Sequence, residues 1–337
     1  MIEELARVYG YDRLPSTLLS GELPPQRNNR ALQLENTVRD LLATFGLRES
    51  VCYSLTSSER ETLLGETADH VELLNPISPE RAFMRRTLLG NLLEVVEHNL
   101  KQTNTVKVFE LGAVFLPRAG QKLPEEQRRL AFVLTGRTTA ETWGEGQPET
   151  PKRLDFYAAK GIVEQLLTSL HVGQASYAVA KNVPYLHPAR AANLSLAGQV
   201  LGAFGELHPK IAATLKLTGT VLVGEFNLDL ILQQVPERYP FKPTPLHQAA
   251  TRDLAVVVEE TLTNEAIINE IRAAGGELLA SARLFDLYKG ESIPSGKKSL
   301  AYALTYQTER TLTDKEIEKA HKKIEDRLKH VLKATQH

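Results

Sequence analysis

The segment from residue 84 to residue 116 changes its hydrophobic period halfway along its length. Apolar residues first recur at every fourth position (Met84, Leu88, Leu92, Val96 and Leu100), which predicts a helix with one broad apolar face. From Val106 to Phe115 the apolar period becomes two, which predicts a strand inside a sheet. A helix that leads directly into a strand is typical of any α/β core, so this pattern predicts architecture and no specific function.

Strand patterns outnumber helix patterns in the rest of the first 235 residues. Helical stripes occur at residues 2–9, 34–45 and 156–170, and a short helix is expected after His208-Pro209. Strands are predicted at residues 49–55, 130–136, 190–196, 200–206 and 221–228, whereas residues 137–152 have the composition of a polar loop. Repeated strands with few helices predict an α+β fold, with a mostly antiparallel sheet and helices packed on one side.

Four prolines between Val235 and Pro245 mark the clearest domain boundary of the chain. Beyond it, strands are predicted at residues 254–258, 279–288 and 298–307. Thr263 can cap a helix that Gly275-Gly276 ends, and the spacing of Thr313 and Glu316 predicts a capping box for a last helix. This order fits a ferredoxin-like domain, in which two helices cover one face of the sheet and leave the other open.

Strand alternation divides the side chains of this second sheet between its two faces. Asp286 and Tyr288 share one face, and Ser299 and Ala255 point away from the bulky apolar residues of their own strands. If the bulky residues pack under the helices, the open face is small and polar, and Tyr288 stands on it as a flat platform. Such a surface suits an unstacked RNA base. The alternative is that Tyr288, at the end of a strand, is a partly buried core residue.

Positive charge is available for nucleic-acid binding only locally, because the formal net charge of the chain is −1. Lys289, Lys297 and Lys298 adjoin the predicted open face and are placed to meet phosphates. On composition alone, the same lysines could equally form a solvated turn.

The composition, with 42% hydrophobic and 24% charged residues, is that of a soluble globular protein. No apolar run approaches the roughly 18 residues of a membrane span. The acidic start Met1-Ile2-Glu3-Glu4 differs from the basic start of a signal peptide, so we expect a cytoplasmic protein. The single cysteine, Cys52, excludes an intramolecular disulfide and a cysteine-built zinc site.

Seven short motifs are individually weak, but their order along the chain is specific. They are GYDRLP (10–15), FELGAVF (109–115), HPARAA (187–192), GAFGELHP (202–209), RDLAVVV (252–258), FDLYKG (285–290) and GKKSLA (296–301). In this order they resemble the C-terminal portion of bacterial phenylalanyl-tRNA synthetase β subunits, over nearly all of the chain. The resemblance implies the end of a B5 domain (1–20), a class II synthetase-like core (21–235) and a ferredoxin-like anticodon-binding domain (242–333).

The same resemblance implies a part in the ATP-dependent attachment of phenylalanine to tRNA. The chemistry would take place on the α subunit of an α2β2 heterotetramer. This chain would contact the α subunit through residues 1–235 and bind tRNA(Phe) through residues 242–333, with no DNA or membrane partner. The rival interpretation is a stand-alone RNA-binding or scaffold protein without a ligase partner.

Class II synthetases hold ATP phosphates with two arginines, one in a Phe-Arg-x-Glu strand and one in a glycine-rich strand, because guanidinium groups stabilise phosphate charge bidentately. The corresponding segments, residues 109–112 and 202–207, contain no arginine. We therefore expect a catalytically inactive core, with no catalytic residue and no activity of the fragment alone. Gly202 and Gly205 could suggest a phosphate cradle, but glycines in a strand are more often close-packing positions.

The resemblance also implies roles for particular residues. In the Phe-Asp-x-Tyr motif, Asp286 would hydrogen-bond a base of the anticodon and Tyr288 would stack on one, with Ser299 and Ala255 at matching positions. The family's domain ends in a strand with a terminal arginine. Residues 333–337 lack that arginine, so the last strand is in doubt.

Glu3 and Glu4 match a carboxylate pair that, in the family, helps to bind a magnesium ion shared with the α subunit. Two aspartates that complete this set would lie upstream of residue 1. The alternative is that Glu3 and Glu4 only interact favourably with the positive end of a helix dipole.

Overall fold

The computed structural model describes residues 1–18, 20–21, 28–66, 68–138, 152–239, 241, 243–290 and 292–336. The chain divides into two compact units, Met1–Tyr239 and Pro240–His337, and the division falls within the proline-rich segment. Most of the predicted polar loop at residues 137–152 lies outside the described residues. Among the helices that are described, none is both long and apolar enough to cross a membrane.

Unit 1 contains a large sheet, a small strand pair and several helices. Its helices are α1 (Ile2–Tyr9), α2 (Arg30–Thr44), α3 (Ser58–Leu63), α4 (Leu89–Asn99), α5 (Phe156–Ser169), α6 (Pro209–Thr214) and α7 (Leu228–Gln233). Its strands are β1 (Arg48–Glu49), β2 (Leu55–Thr56), β3 (Phe83–Met84), β4 (Val106–Leu116), β5 (Glu125–Thr135), β6 (Ala175–Val179), β7 (Leu186–Leu196), β8 (Gln199–Leu207) and β9 (Val221–Asn227).

The large sheet has seven strands in the order β1-β4-β5-β9-β8-β7-β6, while β2 and β3 pair separately. Only the short pairing of β1 with β4 is parallel within this sheet. The predicted α+β class with a mostly antiparallel sheet is therefore confirmed.

Helices cover both faces of the large sheet, so the prediction that they pack on one side is wrong. On one face α2, α5 and α7 pack against the phenylalanines of β4, β5, β8 and β9. On the other face α4 and α6 pack against the valines and alanines of the same strands. The near-continuous apolar runs of β5 and β9 are what a strand buried on both faces requires.

The helix predicted from Met84 begins later than its apolar stripe indicated. Met84 belongs to β3, and α4 starts at Leu89. The amides before this helix have distant partners, since Arg86 N donates to Glu61 Oε2 (3.1 Å) and Leu88 N donates to Glu225 Oε1 (2.7 Å). These tertiary bonds replace the helical turn that the local pattern favours.

The single strand predicted at residues 49–55 is also wrong. Arg48–Glu49 pairs with β4, whereas Leu55–Thr56 pairs with β3, and the residues between them connect the two sheets. The sequence patterns also missed β6 and α7. Both are short elements, and a few residues carry little periodic signal.

Unit 2 is a four-stranded antiparallel sheet covered by two helices. Its elements are β10 (Ala250–Glu259), α8 (Asn264–Gly275), β11 (Leu279–Tyr288), β12 (Lys297–Tyr306), α9 (Asp314–Leu332) and β13 (Thr335–Gln336). The strand order β11-β12-β10-β13 is that of a ferredoxin-like fold. The last strand, which the sequence left in doubt, is present as two residues paired with β10. Both hydrogen bonds of the predicted capping box between Thr313 and Glu316 are formed.

Candidate nucleic-acid interface

The sheet of unit 2 has one covered face and one open face. Leu300, Tyr302 and Leu304 of β12 are buried under apolar side chains of α8 and α9. Alternate residues of β12 point to the other side, where no described helix of this unit packs. The open face is therefore lined by the odd-numbered residues of β12 and by their neighbours on β10 and β11.

The strand register brings the four predicted base-binding residues together on this open face. Tyr288 lies opposite Ser299, and Asp286 lies opposite Ala301, which in turn lies opposite Ala255. Directly opposed residues of antiparallel strands have Cβ atoms about 5 Å apart and point to the same face. Asp286 is exposed, Ala255 is half-buried and Ser299 is buried. This face therefore combines the carboxylate of Asp286, the hydroxyl of Ser299 and the aromatic ring of Tyr288 with the small side chains of two alanines.

The ring of Tyr288 is not part of the core. Its exposed fraction is 45%, whereas Tyr302 and Tyr306 on the covered face are fully buried. A Cβ atom added to Gly290 would overlap the ring and hydroxyl of Tyr288. The absence of a side chain at Gly290 therefore lets the ring lie against the chain that follows the strand, with the rest of the ring exposed.

The three predicted phosphate-binding lysines each have an acidic or carbonyl partner. Lys289 forms an ion pair with Glu260 and holds the pKa of that carboxyl below its ordinary value. Lys298 Nζ donates to the Glu260 carbonyl oxygen at 2.9 Å, and burial lowers the pKa of this lysine. Lys297 Nζ lies 3.7 Å from a carboxylate oxygen of Glu259. The lysines lie together, but two glutamates offset much of their charge.

Lys297 and Lys298 also point to opposite sides of the sheet. Lys297 pairs with Glu259 and alternates with Ser299 on the open side, whereas Lys298 pairs with the core residue Val258. Of these two, only Lys297 adjoins the face that carries Tyr288. A phosphate role for all three lysines stays a prediction.

In unit 1, a buried ion pair involves Glu110, which lies in the segment that resembles the arginine-containing strand of class II synthetases. Glu110 of β4 accepts a hydrogen bond from Arg85 Nη1 at 2.7 Å, and both side chains are 3% exposed. Arg85 also donates to the carbonyl oxygens of Ala113 (3.0 Å) and Tyr53 (3.4 Å). A Cβ atom at Gly112 would overlap the Arg85 guanidinium, so a side chain at this position would displace Arg85 from its present place. Two of the three guanidinium nitrogens of Arg85, Nε and Nη1, thus donate to protein oxygens.

A second buried carboxylate, Glu225 of β9, joins the sheet to the start of α4. It accepts hydrogen bonds from the Thr87 hydroxyl (2.9 Å), from Leu88 N (2.7 Å) and from Arg129 Nη1 (2.7 Å). The sequence patterns missed this cluster. A single acidic residue inside an apolar strand, as in VLVGEFN, is the signal that could have found it, because a buried carboxylate needs a partner.

Gly202 and Gly205 have the close contacts that the packing interpretation predicts. A Cβ atom at Gly202 would lie 2.7 Å from the Cα atom of Phe226, and one at Gly205 would lie 2.6 Å from the Cα atom of Ala191. Backbone of the neighbouring strands therefore occupies the space beside both glycines.

His208 accepts a hydrogen bond from Lys210 N at 3.2 Å and caps α6, which is a structural role.

Glu3 and Glu4 do not form a metal site by themselves. Glu4 Oε2 lies 2.7 Å from Arg7 Nη2, and both side chains are exposed, as is Glu3. Within the described ranges, no group of three or more His, Cys, Asp or Glu residues could hold a metal ion. The two carboxylates of α1 could complete a magnesium site only with ligands from outside these residues.

Comparison with protein families gives a match for each unit. Residues 14–228 match the model described as the phenylalanyl tRNA synthetase beta chain CLM domain. Residues 245–337 match the ferredoxin-fold anticodon binding domain. The ferredoxin-like fold of unit 2 is therefore supported both by its topology and by its family.

Curated relatives match almost the whole chain. The phenylalanine–tRNA ligase beta subunit of Geobacillus kaustophilus is 39% identical over 328 residues, which cover 96% of this chain and 40% of that protein. The Bacillus subtilis beta subunit is 37% identical over 335 residues, with the same two coverages. The chain thus spans about 40% of the length of these relatives.

Among solved structures, a pyrrolysyl tRNA synthetase from Desulfitobacterium hafniense superposes with a TM-score of 0.48 at 14% identity, covering 62% of this chain and 70% of that one. A likeness at this level carries no argument about function. The identification rests on the family models and the sequence relatives. Because the core model matches well over half of the chain and both units match in the order expected, the chain belongs to the phenylalanyl-tRNA synthetase β-chain family.

Proposed function

We propose that this chain acts as the C-terminal portion of a phenylalanine–tRNA ligase β subunit and binds the anticodon region of tRNA(Phe) through the open face of unit 2. The observation that carries the proposal is the juxtaposition of Ala255, Asp286, Tyr288 and Ser299 on the sheet face that neither α8 nor α9 covers. The domain family matched by this unit is named for anticodon binding. Both point to the same surface.

The chemistry of this face fits a single-stranded base. The half-exposed ring of Tyr288 offers a stacking surface, which contributes about 1–3 kcal/mol per base in single-strand binding proteins. The Asp286 carboxylate can accept hydrogen bonds from amino or imino groups of a base. The side chains of Ala255 and Ala301 are small, so a flat ring can approach the backbone of the sheet at these positions.

Unit 1 would contact an α subunit that holds ATP and phenylalanine, and the complete enzyme would be a cytoplasmic α2β2 heterotetramer. The support is the β-subunit name of the relatives, together with the internal ion pairs that Arg85 and Arg129 form with Glu110 and Glu225. Magnesium would assist the complete enzyme by neutralising phosphate charge. Glu3 and Glu4 would supply two carboxylates toward one such ion if the remaining ligands came from elsewhere in the complete subunit.

Tyr288→Ala tests the RNA-binding proposal. It should weaken binding of tRNA bearing the phenylalanine anticodon by about 1–3 kcal/mol, and the loss should persist at raised salt because stacking is uncharged. Leu287→Ala is the matched control, since Leu287 is similarly exposed (51%) on the same strand but lies opposite the core residue Leu300. Fluorescence titration at two salt concentrations measures both.

If Tyr288→Ala bound tRNA as tightly as the wild-type chain, the proposal that this face binds the anticodon would be refuted. The rival function, an RNA-binding or scaffold protein without a ligase partner, is decided by a second measurement. The chain is mixed with a phenylalanine–tRNA ligase α subunit and the mass is measured by light scattering. A stable complex supports the ligase assignment, and separate masses favour the rival.

A further inference from the structure

A β-bulge in β11 changes which side chains reach the open face. Leu284 lies opposite Tyr302, but Asp286 lies opposite Ala301, so the register shifts by one residue around Phe285. Strict alternation would place Arg283 on the same side as Phe285 and Leu287, away from Asp286. Because of the bulge, Arg283 instead lies opposite Ala303, an open-face residue. Arg283, Asp286 and Tyr288 therefore line one edge of the same face.

The surroundings of Arg283 leave its guanidinium accessible. The side chain is exposed and its neighbour across the strand pair is the small Ala303. Asp253 lies on the far side of Ala303, two strands and about 10 Å away at the usual strand spacing. In the part of the chain that the structure describes, no hydrogen bond or ion pair to Arg283 is found, in contrast to Lys289, Lys297 and Lys298.

The acidic side chains of the open face are unfavourable for RNA unless a positive charge lies near them. Asp253 and Asp286 both present carboxylates on this side of the sheet. Without a cation beside them, they would repel RNA phosphates. Arg283 lies opposite Ala303 and Tyr288 lies opposite Ser299. These two positions of β12 are four residues apart, which is about 13 Å at the usual rise per residue. This separation places the guanidinium beyond a base stacked on Tyr288, along the line of the strand.

We propose that Arg283 binds a backbone phosphate of the RNA strand whose base stacks on Tyr288. This inference rests on the proposed function and adds a binding residue to the same face. An arginine suits the role because its planar guanidinium can hold two phosphate oxygens at once and keeps its charge at any physiological pH. Arg283, rather than the glutamate-paired lysines, supplies the electrostatic contact on this face.

Arg283→Gln, in the whole 337-residue chain, tests the inference by titration with tRNA bearing the phenylalanine anticodon at several salt concentrations. Each phosphate contact to a single strand contributes about 0.7 to the slope of log K against log salt concentration. Loss of one contact in Arg283→Gln should therefore reduce the slope by about 0.7 and weaken binding roughly fivefold at 0.1 M salt. Arg283→Lys should keep most of the slope because the charge remains. Arg272→Gln is the control, since Arg272 is an exposed arginine in the last turn of α8, on the covered side of the sheet.

Tyr288→Ala, measured in parallel, separates the two levels of the argument. If Tyr288→Ala weakens binding while Arg283→Gln leaves the salt slope unchanged, the proposed function stands and the role of Arg283 is refuted. If neither change weakens binding, the open face is not the RNA site and both proposals fail. A loss of slope in Arg272→Gln equal to that in Arg283→Gln would also overturn the inference, because the effect would then be general to surface charge.

Discussion

The buried ion pair between Arg85 and Glu110 offers a sharp test of the packing argument for unit 1. Arg85→Met removes the charge but keeps much of the aliphatic stem, and it leaves the Glu110 carboxylate unpaired in a site where both side chains are 3% exposed. Removing one partner of a buried pair costs about 3–5 kcal/mol, because the remaining charge has neither water nor an opposite charge beside it. We therefore expect a loss of that size from the free energy of unfolding.

The expected loss in free energy of unfolding can be converted to a shift in melting temperature. Unit 1 spans residues 1–239, and in a domain of this size each kcal/mol shifts Tm by about 2–4 °C. Arg85→Met should therefore lower the Tm of unit 1 by roughly 6–20 °C. Differential scanning calorimetry of the whole chain measures this shift, and hydrogen exchange of the β4 amides assigns it to unit 1.

Arg7→Met is the matched control for geometry. The Arg7–Glu4 pair has the same 2.7 Å separation, but the two side chains are 64% and 66% exposed. Exposed pairs contribute about 0–1 kcal/mol, so this change should shift Tm by no more than a few degrees. Equal shifts for Arg7→Met and Arg85→Met would contradict the claim that burial determines the cost.

The double variant Arg85→Met with Glu110→Leu tests the coupling between the partners. Since both charges are then gone, it should recover at least half of the loss of Arg85→Met. Recovery should be incomplete, because Cys52 N and the Ala113 carbonyl oxygen lose the hydrogen bonds they make to the pair. Strictly additive losses would refute the reasoning.

Two further predictions concern unit 1. Burial raises the pKa of Glu61 to about 7, so the folded state keeps a proton that the unfolded state releases above about pH 4.5, and stability falls as pH rises through this window. Between pH 5 and pH 7.5, Glu61→Gln should reduce the change in the free energy of unfolding by about 2 kcal/mol, as measured by urea unfolding. If the pH profiles of variant and wild type were parallel, Glu61 would not titrate in this range. Separately, the pure chain should not exchange pyrophosphate into ATP with phenylalanine present, because residues 109–112, which resemble the phosphate-binding strand of class II synthetases, contain no arginine. Exchange above a no-protein blank would overturn the assignment of an inactive core.

Local periodicity specifies much of unit 2. Alternation on β12 separates Leu300 and Tyr302 from Ser299, and the capping residues Thr263 and Thr313 mark the starts of both helices. The same alternation assigns Asp286 and Tyr288 to one face, and the register aligns them there with β12. These features depend on residues that are close in sequence, so they can be read from the pattern alone.

Features that depend on distant residues come from the tertiary structure. The start of α4 is set by Glu225, which accepts a hydrogen bond from the Leu88 amide 137 residues away, and no local pattern encodes that partner. The burial of the large sheet on both faces likewise depends on which helices return to it.

The bulge at Phe285 is the most consequential example. It is one additional residue within a strand whose apolar pattern remains readable, so the amino-acid pattern alone specifies the strand and the shared face of Asp286 and Tyr288. The pairing with β12 is needed to show that Arg283 lies on that face as well. A strand's side-chain period is two, and a one-residue shift in register therefore moves every residue before it to the opposite face.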